Sequence, residues 1–192
     1  MPFVRSRLRI AVAVAVLAIS AVGGWAWSAS SQPEIDAQMT TPGEVPYPSL
    51  DTNDLVVGKH LSDVDITDLE GNTIALQSFL GSPIILNFWY STCEPCRREI
   101  PAFVQAQQAN AGIQFIGLNM NDSPETAKAF AEKYGVNYPI VFDQSGTVVR
   151  ELGVVTAPST LFIDSAGNIV DQVAGEISSD KLASLMAQWF PS

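Results

Sequence analysis

The sequence predicts an α/β domain with a mixed β-sheet over residues 56–192. Three observations carry this reading. Apolar runs of strand length alternate with helical stretches along that region. The most continuous run, residues 84–90, leads straight into a helix. A strand–turn–strand pattern near the end then closes the series before a last helix.

In order, residues 63–69 alternate polar and apolar, Gly71-Asn72 turn, and Thr73-Ile74-Ala75-Leu76 return, which is a β-hairpin signal. Residues 84–90 read as a strand buried on both faces. A helix over 94–111 follows, with Ile100, Phe103 and Val104 as its apolar stripe and Pro101 as a kink, since it removes a backbone donor. Residues 113–118 form the next strand. Ser123 then caps a helix with Pro124 in its first turn, and Tyr134-Gly135 ends it. A short strand at 140–142 and a short helix at 147–152 come next. Residues 159–163 and 168–173 are strands joined by a turn at 164–167. Ser178 or Ser179 caps a final helix that reaches Phe190. No internal repeat is evident.

The first 55 residues differ in character. Arg5, Arg7 and Arg9 precede an apolar stretch over 10–27, broken only by Ser20, Gly23 and Gly24. Residues 1–30 therefore read as a signal peptide or a signal anchor. Trp25 and Trp27 suit a membrane interface and favour the anchor. Ser28-Ala29-Ser30 would suit cleavage. No cysteine follows the run, which excludes lipid attachment there. The basic flank is expected to stay in the cytoplasm and the rest to lie outside it, held to the membrane by the N-terminus or secreted after cleavage. Residues 31–55, with Pro33, Pro42, Gly43, Pro46 and Pro48, read as a flexible linker. The net charge is −10, with three of ten basic residues before Ile10 and all twenty acidic residues after Gln32. The exported part therefore holds seven basic against twenty acidic residues, −13. That argues against nucleic acid or anionic lipid as a partner.

Cys93 and Cys96 are the only cysteines, two residues apart in Cys93-Glu94-Pro95-Cys96. At the junction of a buried strand and a helix, such a pair has the arrangement of a redox dithiol. Free N–H groups and the helix dipole favour a thiolate on the first sulfur. The second, one turn on, can attack a mixed disulfide formed by the first. A structural disulfide or half of a zinc site is the alternative. Zinc needs about four N or S ligands, and beyond the cysteines only His60 offers itself. Outside the cytoplasm disulfides persist, yet no further cysteines are present to build structural bridges.

The run from Asn87 through Phe88-Trp89-Tyr90-Ser91-Thr92 and the dithiol to Arg97-Arg98-Glu99-Ile100-Pro101 resembles the active-site segment of thioredoxin-fold proteins of the TlpA/ResA/CcmG branch. These are membrane-anchored, extracytoplasmic thiol-disulfide oxidoreductases. Val154-Val155-Thr156-Ala157-Pro158-Ser159 and the strand after it resemble the branch's cis-proline loop, and the stretch 117–152 resembles its insertion. The resemblance covers about residues 56–189. It implies a thioredoxin-like fold in which Cys93 attacks, Cys96 resolves and Pro158 is a cis proline facing the dithiol. The backbone of Ala157 would then be open to a client strand. Trp89 would pack beside the site as part of the substrate surface. Glu99, three residues after Cys96, would exchange a proton with it or tune both thiols. Asn87 stands where thioredoxin has a buried aspartate and cannot titrate. Thr92 replaces a tryptophan common in the branch, and Tyr90 a small residue, which alters the client-facing surface.

The function expected is exchange of the dithiol with cysteine-bearing clients, apocytochrome c in cytochrome c maturation among them, with a membrane-embedded thiol/disulfide carrier as electron partner. General oxidation of secreted proteins is the alternative. No organic cofactor or metal is called for. Direction stays open, because such dithiols span about −270 to −120 mV. Glu94 opposes a Cys93 thiolate and favours a reductant, while Arg97 and Arg98 act the other way. A peroxiredoxin would want P-x-x-x-T-x-x-C, but Leu86 and Tyr90 hold those positions. A copper chaperone of this fold would want C-x-x-x-C and a later histidine.

Overall fold

The structure is a computed structural model and describes residues 53–191 and Ser20. The chain divides into two compact units, and residues 53–191 fall in the one spanning Pro48–Ser192. Apart from Ser20, the expected signal or anchor segment and the linker as far as residue 52 lie outside the described residues. Among the described residues no helix is long and apolar enough to cross a membrane.

Strands β1 (Asp65–Asp68) and β2 (Thr73–Ala75) form the expected hairpin, and a 3-10 turn over Leu76–Phe79 follows. Then come β3 (Ile84–Trp89), α1 (Glu94–Ala109), β4 (Gln114–Asn119), α2 (Pro124–Tyr134), β5 (Ile140–Phe142), α3 (Thr147–Leu152), β6 (Ser159–Ile163), β7 (Ile169–Ala174) and α4 (Ser179–Trp189). The strands make one sheet in the order β2-β1-β5-β4-β3-β6-β7. β3 runs parallel to β4 and antiparallel to β6, and β1 runs antiparallel to β5. The sheet is therefore mixed, as expected.

β3 has no exposed face, which explains its unbroken apolar run. Ile84, Leu86 and Phe88 join one core cluster, with Ile116, Leu118, Val141, Leu161 and Val148 of α3. The alternate residues point to the other face. There Ile85 packs with Phe103 of α1 and with Leu182 and Met186 of α4. Trp89 packs with Ile100 of α1 and Phe130 of α2. Asn87, between Ile85 and Trp89, is thus carried into the layer beneath α1.

The helix ends follow local chemistry. Ser123 Oγ accepts from the Thr126 N–H with Pro124 in the first turn, and Gly135 ends α2 at φ 70°. Ser178 Oγ accepts from the Lys181 N–H at the start of α4. α1 continues through Pro101 to Ala109.

One expectation needs correction. Composition places residues 53–55 in the flexible linker, but Asn53 and Asp54 are hydrogen-bonded to the domain. The Asp54 N–H donates to the Gly153 carbonyl (2.9 Å), and Gln172 Nε2 donates to the Asp54 carbonyl (3.0 Å). The chain from there to Leu61 is stitched along the β6–β7 region. Bonds join Val56 to Gln172, Gly58 to Ile169 and Leu61 to Gly167.

Candidate active site

The end of β3 delivers Tyr90-Ser91-Thr92 into a loop, and Cys93 is the N-cap of α1. The loop is held by Asp122. Its Oδ2 accepts from the Ser91 N–H (2.6 Å) and from Asn119 Nδ2 (2.7 Å), and its Oδ1 accepts from Ser91 Oγ (2.7 Å). Asn119 Oδ1 in turn accepts the N–H groups of Asn121 and Asp122. Sequence reading missed this support, because Asp122 carries no motif and lies 31 positions from Ser91.

Cys93 and Cys96 are joined as a disulfide. Cys93 Sγ accepts the Cys96 N–H at 3.2 Å, one of the free donors of the helix start. Cys96 is fully buried and Cys93 is 4% exposed. Cys93 thus has only a narrow opening to solvent. Glu94 is neutralised on the surface, where Arg97 lies 3.1 Å and Arg98 3.9 Å from its carboxylate. Arg98 also pairs with Glu176. The opposing charges near the dithiol therefore largely cancel.

Cys96, Glu99, Ile100 and Phe103 form the buried stripe of α1. Glu99 is 2% exposed, so it is no surface carboxylate. Asn87 Nδ2 donates to its Oε1 (2.8 Å) and the Ile177 N–H to its Oε2 (3.0 Å). Burial raises its pKa to about 7, against the two hydrogen bonds, which lower it; the nearby Glu176 charge adds a smaller rise. Neither sulfur is among its hydrogen-bond partners. Asn87 Nδ2 also donates to Thr160 Oγ1 (3.2 Å), so the amide links β3, α1 and β6.

The Ala157–Pro158 peptide is cis. Phe88 of β3 lies opposite Ser159 of β6 in register, which brings the cis-proline loop level with the end of β3. Ala157 packs against the cluster that contains Cys93, Cys96 and Trp89. Among the described residues no hydrogen bond takes up its N–H or C=O. Beside it lies a cavity of about 360 Å³ lined by Tyr90, Met120, Asn121, Val155, Thr156 and Ala157. Tyr90, one of the departures from the branch's pattern, thus lines this cavity.

Trp89 is placed differently from expectation. It does share the cluster of the cysteines, but it is 1% exposed and its ring lies 4.7 Å from that of Phe130. It forms the buried floor beneath the two cysteines. His60 lies elsewhere. Its ring nitrogens meet the carbonyls of Leu61 and Ala166, at the far end of β6 from Pro158. Among the described residues no three His, Cys, Asp or Glu side chains gather as a metal site would require.

Residues 57–172 match the family model described as the AhpC/TSA family. The chain is 28% identical over 137 residues to the thiol-disulfide oxidoreductase ResA of Bacillus thuringiensis subsp. konkukian, covering 70% of this chain and 79% of that one. A solved structure of a putative thiol:disulfide interchange protein DsbE from Chlorobium tepidum superposes with TM-score 0.62 at 28% identity, covering 69% of this chain and 95% of that one. A secreted Mycobacterium tuberculosis disulfide oxidoreductase homologous to E. coli DsbE does so with TM-score 0.60 at 26% identity, covering 66% and 96%.

Proposed function

The chain belongs to the AhpC/TSA family, has a thioredoxin-like fold and is a thiol-disulfide oxidoreductase of the ResA and DsbE kind; from that premise we propose that Cys93 and Cys96 are its redox dithiol, acting on disulfides of client proteins outside the cytoplasm. The observation that carries this is one arrangement. The Cys93–Cys96 pair sits at the N-terminus of α1, beside the unpaired backbone of Ala157.

In the reducing direction the Cys93 thiolate attacks one sulfur of a client disulfide. A bond forms between Cys93 and that sulfur, and the other client sulfur leaves as a thiolate. Cys96 then attacks Cys93, closes the internal disulfide and releases the second client thiolate. The client has gained two electrons and the dithiol has lost them, to be restored by a membrane-embedded thiol carrier. The Cys96 N–H is placed to stabilise a Cys93 thiolate. Glu99, on the same buried stripe and with a pKa near neutrality, is the group we assign to take the Cys96 proton. Ala157 offers its backbone to an extended client segment, as an added strand would use it.

Export and membrane attachment rest on the basic flank and apolar run over 10–27. The secreted mycobacterial relative supports the compartment. Cytochrome c precursors are the client class we assign.

The test is Cys96→Ser in the full-length protein. Without a resolving thiol, mixed disulfides with clients should accumulate and vanish on reduction, and Cys93→Ser should trap far less. Cytochrome c precursors among the adducts would support the assigned client, and diverse secreted proteins would point to general folding. Equal trapping by both variants, or none by either, would overturn the roles given to the two cysteines. An equilibrium potential against glutathione near about −270 mV supports the reducing direction, and one near about −120 mV reverses it.

A further inference from the structure

We propose that Asn53 is a positioning residue that holds the 155–159 loop in the shape a client backbone docks against. This rests on the reading of Ala157 as the docking edge.

One amide side chain bonds the loop on both sides of the cis peptide. Asn53 Oδ1 accepts from the Val155 N–H (2.8 Å), the Thr156 N–H (2.9 Å) and Thr156 Oγ1 (3.0 Å). Asn53 Nδ2 donates to Ser159 Oγ (2.6 Å) and, at 3.5 Å, to the Thr156 carbonyl. Ser159 Oγ then donates to the same Thr156 carbonyl (2.8 Å). The N–H groups of Val155 and Thr156 and the Thr156 carbonyl are thus occupied. Ala157, between the occupied groups, keeps its N–H and C=O free. The clamp sorts the loop into a fixed part and a presented part.

The chemistry suits an amide. Aspartate has no donor for Ser159, and a hydroxyl cannot span both sides. Asn53 is itself anchored through the bonds of Asp54 to Gly153 and Gln172. The Asp54 side chain also lies over Gly153, which has a positive φ of 58° and where a Cβ would collide with it. An ordered backbone therefore carries the side chain. Ordering a loop before docking lowers the cost of binding, so its loss should be read in KM more than in kcat.

The experiment uses the full-length protein, its dithiol kept reduced by excess dithiothreitol, and three disulfide substrates. One is a short peptide whose cysteine is disulfide-bonded to glutathione. The second is the same peptide N-methylated beside that cysteine. The third is bis(2-hydroxyethyl) disulfide, which has no backbone to dock. In the unmodified protein, methylation should raise KM about tenfold, the effect of about one lost backbone hydrogen bond. In Asn53→Ala, KM for the plain peptide should rise to the methylated level, so that the two peptides become alike. Turnover of the small disulfide should stay within about twofold. Asn53→Asp keeps the acceptor and loses the donor, and should show a rise of about threefold. It also serves if the alanine variant fails to fold.

A methylation penalty that survives in both variants overturns the proposal. So does a fall that is equal for peptide and small disulfide, which would mark Asn53 as a general fold contact. No penalty in the unmodified protein would instead sink the docking-edge reading, and the proposal with it.

Discussion

Glu99 is a carboxyl carried into the core by the register of a helix. A free glutamate titrates near 4.5, and this one near 7. The folded state therefore holds its proton more tightly than the unfolded chain does. The stability this gives is fully present below about pH 4.5 and is lost as pH rises through about 7. Between about pH 5 and about pH 8 the oxidised protein should lose about 2 kcal/mol from this group. Glu99→Gln should remove that dependence, which urea unfolding at the two pH values would check. If Glu99 also serves Cys96, the variant should shift the pH profile of thiol exchange. An unchanged profile would leave it a purely structural acid. The sequence placed Glu99 on the Cys96 face, because three residues on a helix share a side. It could not show the partners of the carboxyl, because one of them, the Ile177 N–H, lies 78 positions later.

Loops and strand ends do the positioning here, and they differ in how readable they were. Ser123, Gly135 and Ser178 announce helix ends because capping is local. The Asp122 support and the Asn53 clamp are distant pairings between polar residues in unremarkable surroundings. Asn53 falls at the end of the Pro-rich stretch that reads as linker, and the partners of Asn53 begin 102 positions later. β4 holds a tighter constraint. A Cβ on Gly117 would come within 2.7 Å of Trp89 Nε1, in the floor beneath the dithiol. Gly117→Ala should destabilise the protein by about 1–3 kcal/mol, measured by urea unfolding. Trp89→Phe takes away the obstructing atom, so the double variant should regain part of that loss. Additive losses would mean that Gly117 matters for another reason.

At the scale of the molecule, the mixed sheet, its hairpins and the dithiol's place followed from periodicity and two motifs. The strand order did not, because pairing is set by contacts far apart in the chain. The apolar run at 10–27 gives a prediction of its own. Fractionated cells should hold the full-length protein in the membrane pellet, with residues 53–191 open to protease from outside. A soluble form beginning near Ser31 would remove the anchor and keep the export. The stitching of residues 53–61 onto 153–172 has a consequence for the order of assembly. A chain that emerges N-terminus first presents residue 53 long before residue 172. Until β6 arrives, β3 has an open edge, Asn53 has no partners, and two thiols stand on an unfinished sheet. In a compartment that oxidises thiols, that interval is when the pair is exposed to every passing disulfide. The last third of the chain ends it, and only then does the protein choose what its cysteines meet.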